Sequence, residues 1–118
     1  MLKCSENNLI IEIFYVINIS DAPEVSPIAF NADKFLEGDF AQSSCVLRKG
    51  DKPVMISWLF NGTRLIESES ISISKMGSRS SVLIIDPVRG HHKGNYTCVA
   101  SNPAGRMAVH TTLKVNGI

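Results

Sequence analysis

The sequence predicts an all-β chain folded as a β-sandwich of two antiparallel sheets. Three observations predict it: short alternating runs separated by turn residues, no helix-length stretch with sustained 3.6-residue periodicity, and two cysteines set far apart with a tryptophan between them. The length of 118 residues, with 44% hydrophobic, suits one domain with its own core. Twelve basic against eleven acidic residues leave a net charge of +1, without the basic excess typical of a nucleic-acid-binding protein.

Six runs have the alternation or the β-branched composition of strands. The Asn61-Gly62 dipeptide suits positive φ and ends the second run, and Asp86-Pro87 ends the fourth. Six or seven short strands with such turns between them favour a sandwich. The predicted strands cover residues 42–47, 54–60, 70–75, 81–85, 95–100 and 107–115.

The first 20 residues differ from the rest in composition. They contain no Gly and no Pro, whereas turn residues recur from Pro23 onward. We therefore expect one domain over residues 22–116 and a non-domain N-terminal segment over residues 1–20. The apolar stretch from Leu9 to Ile19 is shorter than the roughly 20 residues that cross a bilayer. Composition leaves two interpretations of the segment open: a degenerate signal peptide, interrupted by Glu12, and an extra strand.

The cysteine and tryptophan spacing is the most informative signal in the chain. Cys45 and Cys98 are 53 residues apart in different predicted strands, and Trp58 lies in a third. Two stacked sheets lie about 10 Å apart, a gap that a disulfide between inward positions bridges with an indole beside it. Such a disulfide would stabilise the domain by about 4 kcal/mol and place it outside the cytosol. The alternative is a pair of buried free thiols in a cytosolic protein.

Cys4 lies outside the expected domain. It is interpreted as a free thiol, an intermolecular link or an artefact.

Strand parity divides the remaining candidates into core and surface. Trp58, Tyr96, Leu83 and Ile85 are predicted core residues, and the Tyr96 hydroxyl is expected to bond back to the preceding turn. The outward parity of the same strands predicts a flat, uncharged patch, which we take as the candidate interface. Its central residues are Gln42, Ser44, Val82 and Ile84, with Val46, Ser70, Ser72 and Ser74 around them.

A rival patch is predicted on the opposite sheet. It consists of Met55, Leu59 and Val99. For either patch the alternative is that scattered surface aliphatic residues have no function.

The residues from Pro23 to Val115 resemble the immunoglobulin I-set pattern. The matching motifs are Gly38-Asp39, Cys45, Trp58, Asn61-Gly62, Leu83, Ile85, Val88, Gly94-Asn95-Tyr96-Thr97-Cys98 and Ala100-Ser101-Asn102-Pro103-Ala104-Gly105. Three segments resemble, more narrowly, the arthropod Down syndrome cell adhesion molecule (Dscam) family, and most of all its variable seventh immunoglobulin domain. These segments run from Glu37 to Gln42, from Lys49 to Pro53 and from Gly77 to Leu83.

The resemblance implies an I-set domain within a longer multi-domain protein that is secreted or held at the plasma membrane. It implies homophilic recognition in axon guidance, neuronal self-recognition or arthropod immunity. The expected partners are an identical domain on another copy and the neighbouring immunoglobulin domains. No enzymatic activity, cofactor, metal, nucleic acid or small-molecule substrate is expected. The alternative is a structural spacer or a ligand-binding immunoglobulin domain of a receptor or muscle protein.

Two residues depart from the I-set pattern. His92 stands where the pattern has an aspartate, so a buried carboxylate salt bridge is not expected there. Ser43 occupies a position that is normally a core aliphatic residue, and an unpaired buried hydroxyl costs about 1–3 kcal/mol. We expect this domain to be less stable than its relatives.

The resemblance adds a third interpretation of residues 1–20. In that family such domains are encoded by alternative exons, and Ile19-Ser20-Asp21 can be written as a pyrimidine-rich run that ends in the ag of a splice acceptor. Residues 1–20 would then be translated intron sequence.

The remaining motifs carry little chemistry. Ser72 to Lys75 formally matches S-x-x-K, but that motif needs a helix and here lies in a predicted strand. His91 and His92 are expected in a solvated turn, pointing apart. N-x-[ST] sequons begin at Asn18, Asn61 and Asn95, and parity and turn position predict that Asn61 and Asn95 are accessible for N-glycosylation.

Overall fold

The computed structural model describes residues 21–116, which form ten strands and one short 3-10 turn. The predicted strands are present, with ends moved by at most two residues, and four further strands have only two residues each. Residues 1–20, with Cys4, Asn18 and the predicted non-domain segment, lie outside the described residues. The strands are β1 (Glu24–Val25), β2 (Phe35–Leu36), β3 (Ala41–Lys49), β4 (Met55–Phe60), β5 (Thr63–Arg64), β6 (Ile71–Met76), β7 (Ser80–Ile85), β8 (Gly94–Asn102), β9 (Gly105–Leu113) and β10 (Val115–Asn116), and the turn is Gly90–His92.

The strands form two four-stranded antiparallel sheets, as predicted. One sheet has the order β1-β3-β7-β6 and the other β5-β4-β8-β9. The short strands β10 and β2 pair in parallel as a separate two-stranded sheet. Chain neighbours β3 and β4 lie in different sheets, as do β5 and β6, so the two sheets face each other across one core.

Two adjacent contacts join the large sheets across that core. Cys45 and Cys98 form the predicted disulfide, with 6.4 Å between their Cα atoms. Beside it, the Trp58 indole Nε1–H donates a hydrogen bond to the Ser81 hydroxyl at 3.0 Å. Cys45 pairs with Ser81 in one sheet and Trp58 pairs with Cys98 in the other, so the four buried residues form a rectangle across the sandwich.

Tyr96, two residues before Cys98, lies in the core and contacts the turn that precedes β8. The Tyr96 hydroxyl donates to the backbone carbonyl of His92 at 2.6 Å, the bond to the preceding turn that the sequence predicts. The ring lies edge-on to Phe30 with 5.4 Å between centroids, and 4.8 Å from the Phe60 ring. Burial raises the pKa of the Tyr96 hydroxyl, so it remains a hydrogen-bond donor at neutral pH.

Strand alternation decides which side chains fill the core. In β7, Leu83 and Ile85 are fully buried while Val82 and Ile84 are half-buried on the other face. Ser43 lies opposite Leu83 in the neighbouring strand, and its buried Oγ has no hydrogen-bond partner. The core cluster comprises Val25, Ile28, Phe35, Ala41, Cys45, Leu47, Trp58, Leu83, Ile85, Val88, Tyr96, Cys98, Ala100 and Leu113.

The Asn61-Gly62 dipeptide forms a two-residue hairpin between β4 and β5. Phe60 pairs with Thr63, and the two turn residues have φ of 50° and 87°. Positive φ at both central positions is the geometry of a type I′ turn, which asparagine and glycine tolerate best.

The buried indole hydrogen bond makes Ser81 a stability determinant. Replacement Ser81→Ala should lower the free energy of unfolding by about 1–3 kcal/mol, because the Trp58 N–H would remain buried without an acceptor. Urea unfolding followed by tryptophan fluorescence measures this. Ser74→Ala, at an exposed position of the same sheet, is the control and should change stability by less than about 0.5 kcal/mol. Equal effects of the two changes would contradict the role of Ser81.

The Ser43 hydroxyl has no hydrogen-bond partner, so its removal should raise stability rather than lower it. Ser43→Ala should raise the free energy of unfolding by about 1 kcal/mol, because it removes a buried polar atom that has no partner. Urea midpoints compared with those of Ser44→Ala, its exposed neighbour, test this. A loss of stability in Ser43→Ala would show that the hydroxyl is satisfied in solution.

Candidate binding face

The outward side chains of β6, β7 and β3 form a grid of three rows. Direct register between these strands places each β7 residue between one residue of β6 and one of β3. We call these nine residues the binding face. The rows are Ser72, Ile84 and Gln42; Ser74, Val82 and Ser44; and Met76, Ser80 and Val46.

The binding face is uncharged and only partly apolar. Val46 is 43% exposed and Met76 57% exposed, whereas Gln42, Val82 and Ile84 are half-buried between their neighbours. The remaining positions are serines, whose short hydroxyls leave the aliphatic side chains accessible. Met76 and Ser80 were not predicted in the patch, because the predicted strands ended at Lys75 and began at Ser81. Ser70, which was predicted in it, lies just before β6 and is half-buried.

Charged side chains lie at the two ends of the binding face, with opposite sign. At the end of Met76 and Val46, the exposed basic residues are Arg48, on the outward parity of β3, and Arg79, in the turn before β7. Lys49 and Lys75 are also exposed near this end but have the inward parity of their strands. Glu24 offsets one of them through an ion pair with Arg48 at 3.5 Å. At the other end, the exposed acidic residues are Asp39, Glu69 and Asp86, with Arg89 three residues beyond. The face therefore carries a charge gradient along its strands.

Asn31 fixes the start of β3 at the edge of the face. Its Oδ1 accepts the Gln42 backbone N–H at 2.8 Å, and its Nδ2 donates to the Phe40 carbonyl at 3.2 Å. The contact spans 11 residues of sequence, so no local motif indicated it.

The predicted rival patch on the opposite sheet is incomplete. Met55 is 74% exposed and Leu59 is half-buried, but Val99 is only 7% exposed, so its place in an exposed patch was wrong. Val99 lies on β8, which has β4 on one side and β9 on the other, and Ser57 and Ala108 flank it in register. Strand parity predicted correctly that Val99 faces away from the core, but it could not predict that β8 is a central strand.

The two sequons within the described residues lie together on the sheet opposite the binding face. The Asn95 N–H donates to the Asn61 Oδ1 at 2.9 Å, and the Asn61 N–H donates to the Asn95 carbonyl at 2.8 Å. Both asparagines are exposed. Asn61 is thus part of the hairpin structure as well as a sequon.

The expectation of a solvated histidine pair was wrong for one member. His91 and His92 lie in the 3-10 turn Gly90–His92, where their ring centroids are 4.2 Å apart, and His92 is 3% exposed. The error arose because an extended chain was assumed, whereas the turn folds His92 inward. Burial lowers the pKa of His92, and the nearby charges of His91 and Arg89 lower it further.

The described residues contain no group of three or more side chains that could hold a metal ion. The S-x-x-K match lies in β6, where Ser72 and Lys75 have opposite parity and cannot act together. Within residues 21–116 no helix is long and apolar enough to cross a membrane.

An antiparallel sandwich with an inter-sheet disulfide packed beside a tryptophan, and a tyrosine bonded back to the preceding turn, defines an immunoglobulin-like domain. The chain belongs to the immunoglobulin I-set domain family, whose family model matches residues 31–115.

The similarity to Dscam proteins that the sequence motifs indicated is confirmed. The chain is 34% identical over 101 residues to cell adhesion molecule Dscam1 of Drosophila melanogaster, covering 85% of this chain and 5% of that protein. It is 34% identical over 86 residues to human cell adhesion molecule DSCAML1, covering 73% of this chain and 4% of that protein. The chain therefore spans only a small fraction of the length of these relatives.

The solved structures agree. The crystal structure of the Dscam1 Ig7 domain, isoform 5, superposes with a TM-score of 0.77 at 36% identity, covering 80% of this chain and 97% of that chain. The titin M4 domain superposes with a TM-score of 0.72 at 20% identity, covering 83% of this chain and 99% of that chain. The titin match shows the shared fold alone.

Proposed function

We propose that this domain is an extracellular adhesion module that acts by binding a second copy of itself through the binding face. The single observation that carries the proposal is the form of that face: three uncharged rows lie between ends of opposite charge. The similarity to cell adhesion molecules supports binding, rather than catalysis, as its activity.

A homophilic contact in a closed pair must be two-fold symmetric, so one patch meets its own copy. The middle row, Ser74, Val82 and Ser44, suits the symmetry axis because it contains no charge that would meet itself. Val46, Met76 and Ile84 lie in the two outer rows, where pairing would remove their apolar surface from water. A face of this size gives a weak contact by itself, which suits a module repeated along a longer protein.

The charge gradient specifies the relative orientation of the two copies. If the strands of the two faces run antiparallel, the end with Arg48 and Arg79 of one copy meets the end with Glu69 and Asp86 of the other. A parallel arrangement would place like charges together at both ends. Complementary ends of this kind add specificity and a faster association rate more than they add affinity.

Two further features support an extracellular location. The Cys45–Cys98 disulfide persists in oxidising compartments and is rare in the cytosol. Glycans at Asn61 and Asn95 would lie on the sheet opposite the binding face, which would leave that face open. The same glycans would crowd the rival surface around Leu59.

The relatives set the context in which the domain would work. Because the chain spans only 4–5% of the Dscam1 and DSCAML1 sequences, neighbouring immunoglobulin domains are its expected partners within one protein. One superposed structure, of DSCAM isoform 1.30.30, contains the N-terminal eight immunoglobulin domains. Weak contacts repeated along such an array reinforce one another through effective concentration. The alternative role, a spacer or ligand-binding domain of a receptor or muscle protein, requires no self-association.

A charge placed in the binding face should prevent pairing. Sedimentation equilibrium of residues 21–118 should show self-association, and Ile84→Lys should reduce it at least about tenfold, because the contact would desolvate an unpaired ammonium. Met55→Lys adds the same charge on the opposite sheet and should leave association unchanged. A wild-type domain that is monomeric at every concentration would favour the spacer alternative. Association lost in Met55→Lys but kept in Ile84→Lys would place the interface on the other sheet.

The orientation of the pair is tested by exchanging charges. Arg79→Glu and Glu69→Lys should each weaken self-association roughly tenfold at low ionic strength, because each change creates two like-charge contacts by symmetry. An equimolar mixture of the two variants should recover affinity, since both ends are complementary in the mixed antiparallel pair. Analytical ultracentrifugation with one variant labelled measures the mixed species. Failure of the mixture to recover would rule out the antiparallel arrangement.

A further inference from the structure

His92 links the turn after β7 to the start of β6, the edge strand of the binding face. Its ring Nδ1 accepts the Arg89 backbone N–H at 2.9 Å, and its Nε2 lies 3.1 Å from the Ser70 hydroxyl. Ser70 immediately precedes β6, and its carbonyl accepts the Asp86 backbone N–H at 2.9 Å. The imidazole thus connects the two strand ends at the acidic end of the face.

The hydrogen bonds determine the protonation state that fits this site. Because the Arg89 N–H can only donate, Nδ1 must carry a lone pair and no proton. The neutral ring then carries its proton on Nε2, where it donates to the Ser70 Oγ. A second proton would turn Nδ1 into a donor that faces the Arg89 N–H, so the charged ring cannot keep both contacts.

We propose that His92 is an acid-sensitive latch that holds the turn Gly90–His92 against Ser70 and the start of β6, and that protonation of Nδ1 breaks its contact with the Arg89 N–H, which loosens the turn and, through Ser70, the binding face. The stability part of this proposal stands alone, and the effect on adhesion rests on the proposed function. The latch would weaken adhesion in an acidified compartment without any change in the residues of the face.

The charged groups around the ring favour release rather than retention of a proton. His91 lies 4.2 Å away between ring centroids, and both it and Arg89 add positive charge near the site. Among the groups from packed elements, the Glu37 carboxylate accepts the Gly90 N–H at 2.9 Å and is committed to the turn. The Tyr96 hydroxyl binds the His92 carbonyl and leaves the ring free. Glu69 and Lys93 are sequence neighbours of Ser70 and of the turn, Asp86 is joined to Ser70 through its backbone N–H, and all three side chains are exposed.

The direction of the pH effect follows from linkage. The pKa of His92 is lower in the folded domain than the value of 6.5 in the unfolded chain, so the unfolded chain binds the proton more readily. The stabilisation is therefore complete above about pH 6.5 and decreases as the pH falls toward the folded-state pKa.

The test compares urea unfolding of the full 118-residue chain at about pH 7.5 and about pH 5.5. The unfolding equilibrium constant of the wild type should increase more than that of His92→Asn, by up to about tenfold, because the asparagine oxygen can accept the Arg89 N–H but takes no proton. His110→Asn, at an exposed position of β9, is the matched control and should keep the wild-type pH dependence. Equal pH dependence in the wild type and His92→Asn would overturn the latch.

Three further measurements on the wild type keep the proposal testable if His92→Asn does not fold. Nitrogen-15 NMR of the wild-type ring should show an unprotonated Nδ1 and a protonated Nε2 at neutral pH, and the opposite tautomer would overturn the proposal. The exchange protection of the Arg89 amide should fall as the pH is lowered through the range in which the ring becomes protonated in the folded domain. Self-association should weaken over the same range. A wild type that is monomeric at about pH 7.5 would contradict the proposed adhesion. The unfolding comparison would then be the test of whether His92 acts as a latch.

Discussion

The disulfide between Cys45 and Cys98 and the hydrogen bond from Trp58 to Ser81 cross the sandwich side by side. Each of the four residues is register-paired with another member of the group, so the two cross-sheet contacts and two in-sheet pairings form one closed unit. Because a shift of one residue in either sheet would turn these side chains outward, the unit fixes the parity of β3, β4, β7 and β8 together. An oxidising environment is needed to complete it.

The binding face is a direct consequence of that parity. Once Cys45, Ser81 and Leu83 face inward, Ser44, Val82 and their neighbours must face outward, and pairing in register aligns them as rows. The charged residues are excluded from the rows and gather where the strands end. A neutral surface with oppositely charged ends can contact a copy of itself in one orientation, which is the requirement for homophilic recognition.

The two departures from the I-set pattern have different physical consequences. Ser43 places an unpaired hydroxyl in the core and stabilises nothing that the structure shows. His92 is also buried, yet both its ring nitrogens have hydrogen-bond partners. Its neutral form fits the turn well and its charged form does not. The same kind of substitution, a polar residue at a buried position, is thus a cost in one place and a source of pH sensitivity in the other.

Strand alternation and the cysteine–tryptophan spacing were enough to predict the sandwich, the cysteine pair and the inward and outward sets, because both signals are encoded locally or in a few widely spaced residues. The folded structure was needed to show that Val99 lies on a central strand, that Ser81 accepts the indole hydrogen bond and that His92 is buried. Each of these facts depends on which strands become neighbours or on how a turn folds back against a distant segment. Contacts between residues far apart in the chain, such as Asn31 with the start of β3, leave no periodic pattern in the amino-acid order.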